Sequence, residues 1–328
     1  MNGVLNLLKP PGMTSHDAVA FVRRVTGIKR VGHTGTLDPA AAGVLPICIG
    51  HATRLVEYLQ AGTKEYLAEA TFGYETDTLD AVGEVISEGA AAHVTLETVR
   101  AANDAFRGTI QQMPPLYSAI KKEGQKLYEL ARAGADANDL DIQTREVTIT
   151  RLTVNHFWEA TPNSPPRALL GIECSGGTYI RSLVRDIGRA LGCGATMTFL
   201  VRTRSGSFTL NEAVPLEQIA QDAAGVMLPL LEVLTWCAGQ VVINDEAAEN
   251  LMHGRQVQAS ISKLVGYQQD PIKSKQRLTQ AVYHNKTNPQ RVLFLNKAAT
   301  IAALADPVSP NDTTWYKAEK VFNLGLNE

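Results

Sequence analysis

The sequence predicts an α+β fold: a mixed β-sheet flanked by helices, followed by a second, smaller domain. Three observations carry this. Strand-like and helix-like apolar patterns alternate through residues 1–215. The chain has 328 residues, a length that two cores serve more often than one. Between residues 215 and 240 the pattern loosens into a helix and a linker. A strand, a helix, a Gly254-Arg255 turn and another strand then follow closely.

Taken in order, residues 3–8 are an apolar run stopped by Lys9-Pro10-Pro11-Gly12, a strand with a hard end. Thr14 or Ser15 caps the next helix, where Ala18, Val19, Phe21, Val22 and Val25 recur at helical spacing. Arg23, Arg24, Lys29 and Arg30 flank it, either as a solvated face or as a phosphate-contacting rim. Residues 44–49 form a continuous apolar run, the pattern of a buried strand. Residues 51–59 are expected as a helix with Ala52, Leu55, Val56 and Leu59 inward. Residues 64–72 alternate as a strand, 73–80 are turn-rich and acidic, and 84–86 return as a strand. Thr95 caps a helix reaching Phe106, and Pro114 and Pro115 stiffen the extended stretch after it. Lys121, Lys122 and Lys126 lead into a helix over 127–133. Strands at 142–157 and 168–174 are joined by the proline-rich turn 161–167. A helix over 180–191 turns Ile180, Leu183, Val184 and Ile187 inward, and a strand from Met197 to Ser205 follows. Beyond the linker, a strand at 241–243 and a helix at 245–252 precede a polar stretch over 266–290. Apolar runs return at 292–295 and 301–304.

Composition narrows the class. Hydrophobic residues make up 45% and charged residues 20%, as in an ordinary globular chain. The formal net charge is -2, so nucleic-acid binding needs a local basic face. Cys48, Cys174, Cys193 and Cys237 include no pair at metal-ligand spacing and read as free thiols in a reducing compartment. Glu75, Asp77 and Asp80 cluster, but without the twelve-residue loop and closing glutamate of a calcium site. No metal is therefore expected. The start shows no export signal and no segment is long enough to span a membrane, so a cytoplasmic location is expected.

One stretch organises the rest. In Gly32-His33-Thr34-Gly35-Thr36-Leu37-Asp38-Pro39, glycines and a proline present a carboxylate from a stiff loop. Taken alone it is equally a tight turn with a capping aspartate. The stretch resembles the catalytic loop of the bacterial tRNA pseudouridine synthases of the TruB family, which modify uridine 55 in the T-loop. Leu45-Pro46-Ile47-Cys48-Ile49-Gly50, Lys64-Glu65-Tyr66 and Gly177-Thr178-Tyr179-Ile180-Arg181 extend the resemblance, in order, over about residues 1–215.

That resemblance implies a pseudouridine synthase catalytic domain over residues 1–230. A small C-terminal PUA-like β-barrel, an RNA-binding domain, would occupy 231–328. It implies no cofactor, because the reaction neither gains nor loses atoms. The implied partner is tRNA, through its T-loop and acceptor arm, with no membrane and no obligatory protein partner. Asp38 is then the catalytic carboxylate, acting either as a nucleophile at C1′ or as the base that removes the 2′ proton. Arg181 is the cation that keeps it ionised and oriented. Tyr66 stacks on the uracil and reaches a proton-transfer site. His33 holds the flipped state of the target nucleotide. Tyr179, sharing a local β face with Arg181 if the strand persists, buttresses the pocket, and Leu200 lies against the base or in the core. Lys9 and Pro10 support the catalytic loop from beneath. The turn at 161–167 is longer than the usual family hairpin and reads as a surface insertion. Basic residues at 273–291 read equally as RNA contacts or as a solvated loop.

Three other readings compete. An RNA-binding protein with an idle site would not need Asp38, Tyr66 and Arg181 together. A guide-RNA-dependent relative would typically carry basic extensions, and this chain has no lysine-rich tail. A glycosidase would typically want a second acidic partner, and none stands out.

Overall fold

The computed structural model describes residues 1–118, 120–122, 124–134, 140, 142–258, 291–309 and 312–324. The fold is a mixed β-sheet flanked by helices, with a smaller curled sheet of five strands toward the C terminus. Two compact units divide the chain. One comprises Met1–Pro39, Gly43–Gly62 and Arg204–Glu328, the other Ala40–Ala42 and Thr63–Thr203.

In the first unit, strand Gly3–Lys9 lies antiparallel to Ala42–Ile49, with Lys9 opposite Gly43. Its other neighbour is Leu228–Pro229. Both long strands are buried along nearly their whole length, as their unbroken apolar runs predict. Helix Ser15–Thr26 starts at a capping box, in which the Thr14 hydroxyl accepts from the Asp17 N–H and Asp17 Oδ2 accepts from the Thr14 N–H. It ends at Gly27, whose φ of 71° suits a glycine stop. The helix expected over 51–59 is tighter at its start, a 3-10 turn over Gly50–Leu55 before helix Val56–Gln60. Thr53 Oγ1 donates to the Gly50 carbonyl at 2.7 Å and Asn2 Oδ1 accepts the His51 N–H. These side-chain bonds compete with regular helical geometry at that end.

The small sheet runs Gly239–Ile243, Val292–Asn296, Ile301–Ser309, Asp312–Asn323, Gln256–Gln258. The first pairing is parallel and the others antiparallel. Strand periodicity gives it two apolar faces. Val241, Val257, Phe294, Ala303 and Tyr316 close on helix residue Leu251. Leu293, Leu295, Ala302, Leu304 and Phe322 share a core with Val4, Val44, Cys48, Ala52, Leu55, Val233 and Leu234. The C-terminal strands therefore complete the core beneath the N-terminal strand. Arg54 donates to the Val321 carbonyl and stands 5.0 Å over the Phe322 ring.

Arg291, expected as an RNA contact or a solvated residue, is instead buried. It makes two bonds of 2.7 Å to Asp306, pairs with Glu319 and stands 4.7 Å over the Tyr58 ring. A guanidinium saturated in this way is a structural strut. Lys273, Lys275, Arg277 and Lys286 lie outside the described residues.

In the second unit the strand order is Ala195–Ser205, Lys64–Phe72, Arg167–Cys174, Arg145–Trp158, Gly108–Gln112. The proline-rich turn closes the central hairpin with a bridge between Thr161 and Ser164. The acidic cluster is used internally: Glu75 accepts two bonds from Arg189, and Asp77 Oδ1 accepts the Glu84 N–H. No described helix is long and apolar enough to cross a membrane.

Because the C-terminal strands share the core of Val4 and Leu55, Phe322→Ala is expected to lower stability by about 3–5 kcal/mol. Deleting residues 231–328 should lower the unfolding midpoint of what remains. Thermal unfolding of the three proteins tests both, and an unchanged midpoint after deletion would contradict the shared core.

Candidate active site

The Asp38 loop is anchored from both sides. Before it, the buried Ser15 hydroxyl donates to the Leu37 carbonyl at 3.0 Å and accepts the Leu37 N–H at 2.8 Å. After it, the Pro39 carbonyl accepts the Gly12 N–H at 2.8 Å and Lys9 Nζ at 3.2 Å. Lys9 is fully buried, and its ammonium also donates to the carbonyls of Pro10 and Met13 at 2.8 and 2.6 Å. Lys9 thus ties the Pro10–Met13 turn to the end of the loop at Pro39. Ser15, offered as one of two possible helix caps, does a different job: Thr14 caps and Ser15 holds Leu37. Both residues beside the half-buried Asp38 are thus held in place.

His33 ends strand Val31–His33, opposite Ile47. Its Nδ1 accepts the Gly35 N–H at 3.2 Å, which puts the proton of the neutral ring on Nε2. Gly35 sits at φ 139°, a conformation open to glycine, and so allows this tight return.

In the second unit, Tyr66 lies on strand Lys64–Phe72 opposite Ile172 of Arg167–Cys174. It shares the buried side of the strand with Lys64, Ala68 and Ala70, and is 9% exposed. Leu200 is buried on Ala195–Ser205, with Phe199 exposed on the other face.

The helix expected over 180–191 is present as Ile180–Ala190, and the condition set for a shared β face of Tyr179 and Arg181 is not met. Strand Arg167–Cys174 does not persist to them. Tyr179 is the residue before helix Ile180–Ala190, and Arg181 lies in the first helical turn. The two do not share a strand face. Gly177, at φ 84°, turns the chain between strand and helix. A cation in a first turn opposes the helix dipole, so Arg181 needs fixed acceptors. It is buried and donates to the carbonyls of Thr78 at 2.9 Å and Tyr117 at 3.1 Å. Its Nε stands 3.9 Å from Asp80 Oδ2, an ion pair at its outer limit.

The contacts of Asp80 and the 76–80 turn with Arg181 were not foreseen from the sequence. Asp80 Oδ1 accepts from Thr78 Oγ1 at 2.6 Å and from the Val82 N–H at 3.2 Å, which leaves Oδ2 toward the guanidinium. Leu79 between them is held at φ 64°, which costs an L-residue about 1–2 kcal/mol. The available signal was the acidic cluster itself, read only against a calcium pattern.

Among the described residues no three or more His, Cys, Asp or Glu side chains group to hold a metal ion. Burial pushes the thiols of Cys48 and Cys174 up to about 12, so near neutrality they are protonated and poor nucleophiles. The groups suited to chemistry are a carboxylate on a rigid loop, a strand tyrosine and a helix-start arginine.

Comparison with known proteins puts this mixed-sheet chain among the pseudouridylate synthases. Residues 23–180 match the TruB family pseudouridylate synthase (N terminal domain), and residues 181–228 match the tRNA pseudouridylate synthase B C-terminal domain. The chain is 48% identical over 254 residues to tRNA pseudouridine synthase B of Symbiobacterium thermophilum, covering 77% of this chain and 82% of that one. Against its counterpart from Moorella thermoacetica it is 50% identical over 219 residues, 66% of this chain and 70% of the other. A crystal structure of a Cbf5-Nop10-Gar1 complex aligns with 98% of this chain and 85% of its own at TM-score 0.66 and 25% identity. The chain belongs to the TruB family of pseudouridylate synthases.

Ser15→Ala removes both bonds to Leu37 in a buried place. It is expected to cost about 1–3 kcal/mol of stability. Chemical denaturation measures this, and a change within error of zero would show that the loop holds without Ser15.

Proposed function

We propose that this protein converts uridine 55 in the T-loop of tRNA to pseudouridine, without a cofactor or an obligatory protein partner. The observation that carries the reading is the Asp38 loop, pinned through Leu37 and Pro39 by Ser15, Gly12 and Lys9. Such a loop supports a carboxylate that must meet one atom of a ribose. Family membership, with 48% identity to a tRNA pseudouridine synthase B, supports tRNA as substrate. The 25% identity to a chain of the Cbf5-Nop10-Gar1 complex gives weaker support to action within a complex of several proteins.

The reaction breaks the bond from C1′ to N1, turns the uracil and joins C1′ to C5. The C5 proton leaves and N1 gains one, so the balance is zero. Ionised Asp38 starts it, by attack on C1′ or by removal of the 2′ proton. Arg181 supplies the cation and the planar fork for a carboxylate. Tyr66 offers a ring for the extruded base and a hydroxyl for proton transfer. His33 occupies the gap that the flipped nucleotide leaves. Tyr179 and Leu200 line the base pocket. A T-loop is a folded single-stranded loop, so stacking and backbone contacts suffice for recognition. Residues 1–230 form the catalytic part and 231–328 the part that meets the acceptor arm. The site of action is the cytoplasm.

Purified protein with unmodified tRNA should give pseudouridine at position 55 in the presence of a chelator. Product only at another uridine would reject the substrate. Asp38→Asn should lower the single-turnover rate by at least about 10³-fold while tRNA affinity holds, because phosphate contacts dominate affinity. Retention of more than about a tenth of the rate would remove Asp38 from the chemistry.

A further inference from the structure

Gln112 is the last residue of strand Gly108–Gln112 and is fully buried, with no exposed surface. Its backbone closes the sheet register opposite Arg145, and its side chain continues past the edge. Gln112 Nε2 donates to the Tyr179 carbonyl at 3.0 Å, and Gln112 Oε1 accepts the Tyr179 N–H at 2.8 Å. The amide orientation follows from its partner, since a backbone N–H only donates and a carbonyl only accepts. Tyr179 has extended dihedrals, φ -94° and ψ 108°, so the side-chain amide meets it as a neighbouring strand residue would.

That clasp sits where the helix lacks a cap. No side chain of Tyr179 caps helix Ile180–Ala190. The next residue, Met113, binds the same helix start: its carbonyl accepts from Ser182 Oγ at 2.9 Å and from Arg185 Nη2 at 3.3 Å. Four residues further on, the Tyr117 carbonyl accepts from Arg181. The strand end and its extension thus hold the helix at Tyr179, Arg181, Ser182 and Arg185.

We propose that Gln112 is a positioning residue for the isomerisation: its amide, bonded both ways to the Tyr179 backbone, sets the height and rotation of the helix start that carries Arg181. The proposal rests on the reading of Arg181 as the cation of the reaction. Gln112 touches no reacting atom. It acts through the register of a helix, where a displacement of about 1 Å is enough to cost about 10²-fold in rate.

Two variants and one control test it, in the full chain with unmodified tRNA under single-turnover conditions. Gln112→Met keeps the length but leaves both Tyr179 groups without their partner. Its rate should fall by at least about tenfold at every pH, with tRNA affinity within about twofold of wild type. Gln112→Glu can copy both bonds only while protonated, and burial raises the carboxyl into a measurable range. Its rate relative to wild type at the same pH should approach unity near about pH 6 and fall to that of Gln112→Met near about pH 8.5. Arg181→Lys is run beside them. If it keeps the wild-type rate, the reading of Arg181 fails whatever Gln112 does. If it is slow while Gln112→Met keeps the wild-type rate, or while the Gln112→Glu ratio stays near unity at every pH, the Gln112 proposal alone is overturned. Circular dichroism over the same range guards the result, and a rate loss that tracks loss of helix also overturns it. Should Gln112→Met not fold, the pH ratio of Gln112→Glu decides by itself.

Discussion

Much of the first unit depends on one buried ammonium. Lys9 has no exposed surface, and moving such a charge out of water costs several kcal/mol unless it is fully solvated by the protein. Carbonyls of Pro10, Met13 and Pro39 supply that solvation. Two of them come from the turn directly after the first strand and one from the far side of the Asp38 loop. The same ion therefore closes the first turn and ties the loop to it. Lysine is suited to this, having a compact head with donors that rotate toward three separate carbonyls. Arginine's planar fork matches carboxylates better. Replacing it with an apolar side chain would leave three carbonyls facing carbon.

The second unit solves the related problem of holding a cation in a helix's first turn. Arg181 is placed against the dipole and kept there by two carbonyls and by Asp80. The strained Leu79 belongs to the same arrangement, because its backbone turn brings the Thr78 carbonyl and the Asp80 side chain to one guanidinium. Arg181 is thus fixed mainly by backbone groups. Backbone positions change little with neighbouring side-chain motion.

The division between what was legible and what was not follows from this. Strands Gly3–Lys9, Ala42–Ile49 and Lys64–Phe72 were readable because burial on one or two faces imposes a period on side chains. The Asp38 loop was readable because glycine and proline have local meanings. The helix from Ile180 was readable from its apolar spacing, whereas the contacts of Gln112 and Met113 that hold its start are tertiary. Arg291 was read as an RNA contact or a solvated residue because it ends a basic, polar stretch, and its partners Asp306 and Glu319 lie 15 and 28 residues later. Asp80 went unassigned because its partner, Arg181, is far along the chain. Gln112 carries no local signal, and Ser15 carries only that of a helix cap.

The interleaving of the two units bears on the order in which the chain acquires structure during synthesis. Nearly all of the second unit is one continuous stretch, Thr63–Thr203, complete as soon as it leaves the ribosome. The first unit cannot close until its last strand, Asp312–Asn323, has been made, because Val4 and Phe322 share one core. The first strand is thus among the earliest segments translated and among the last to be buried. Through that interval its apolar run, Val4 to Leu8, waits without its final partners, a natural place for a chaperone to bind.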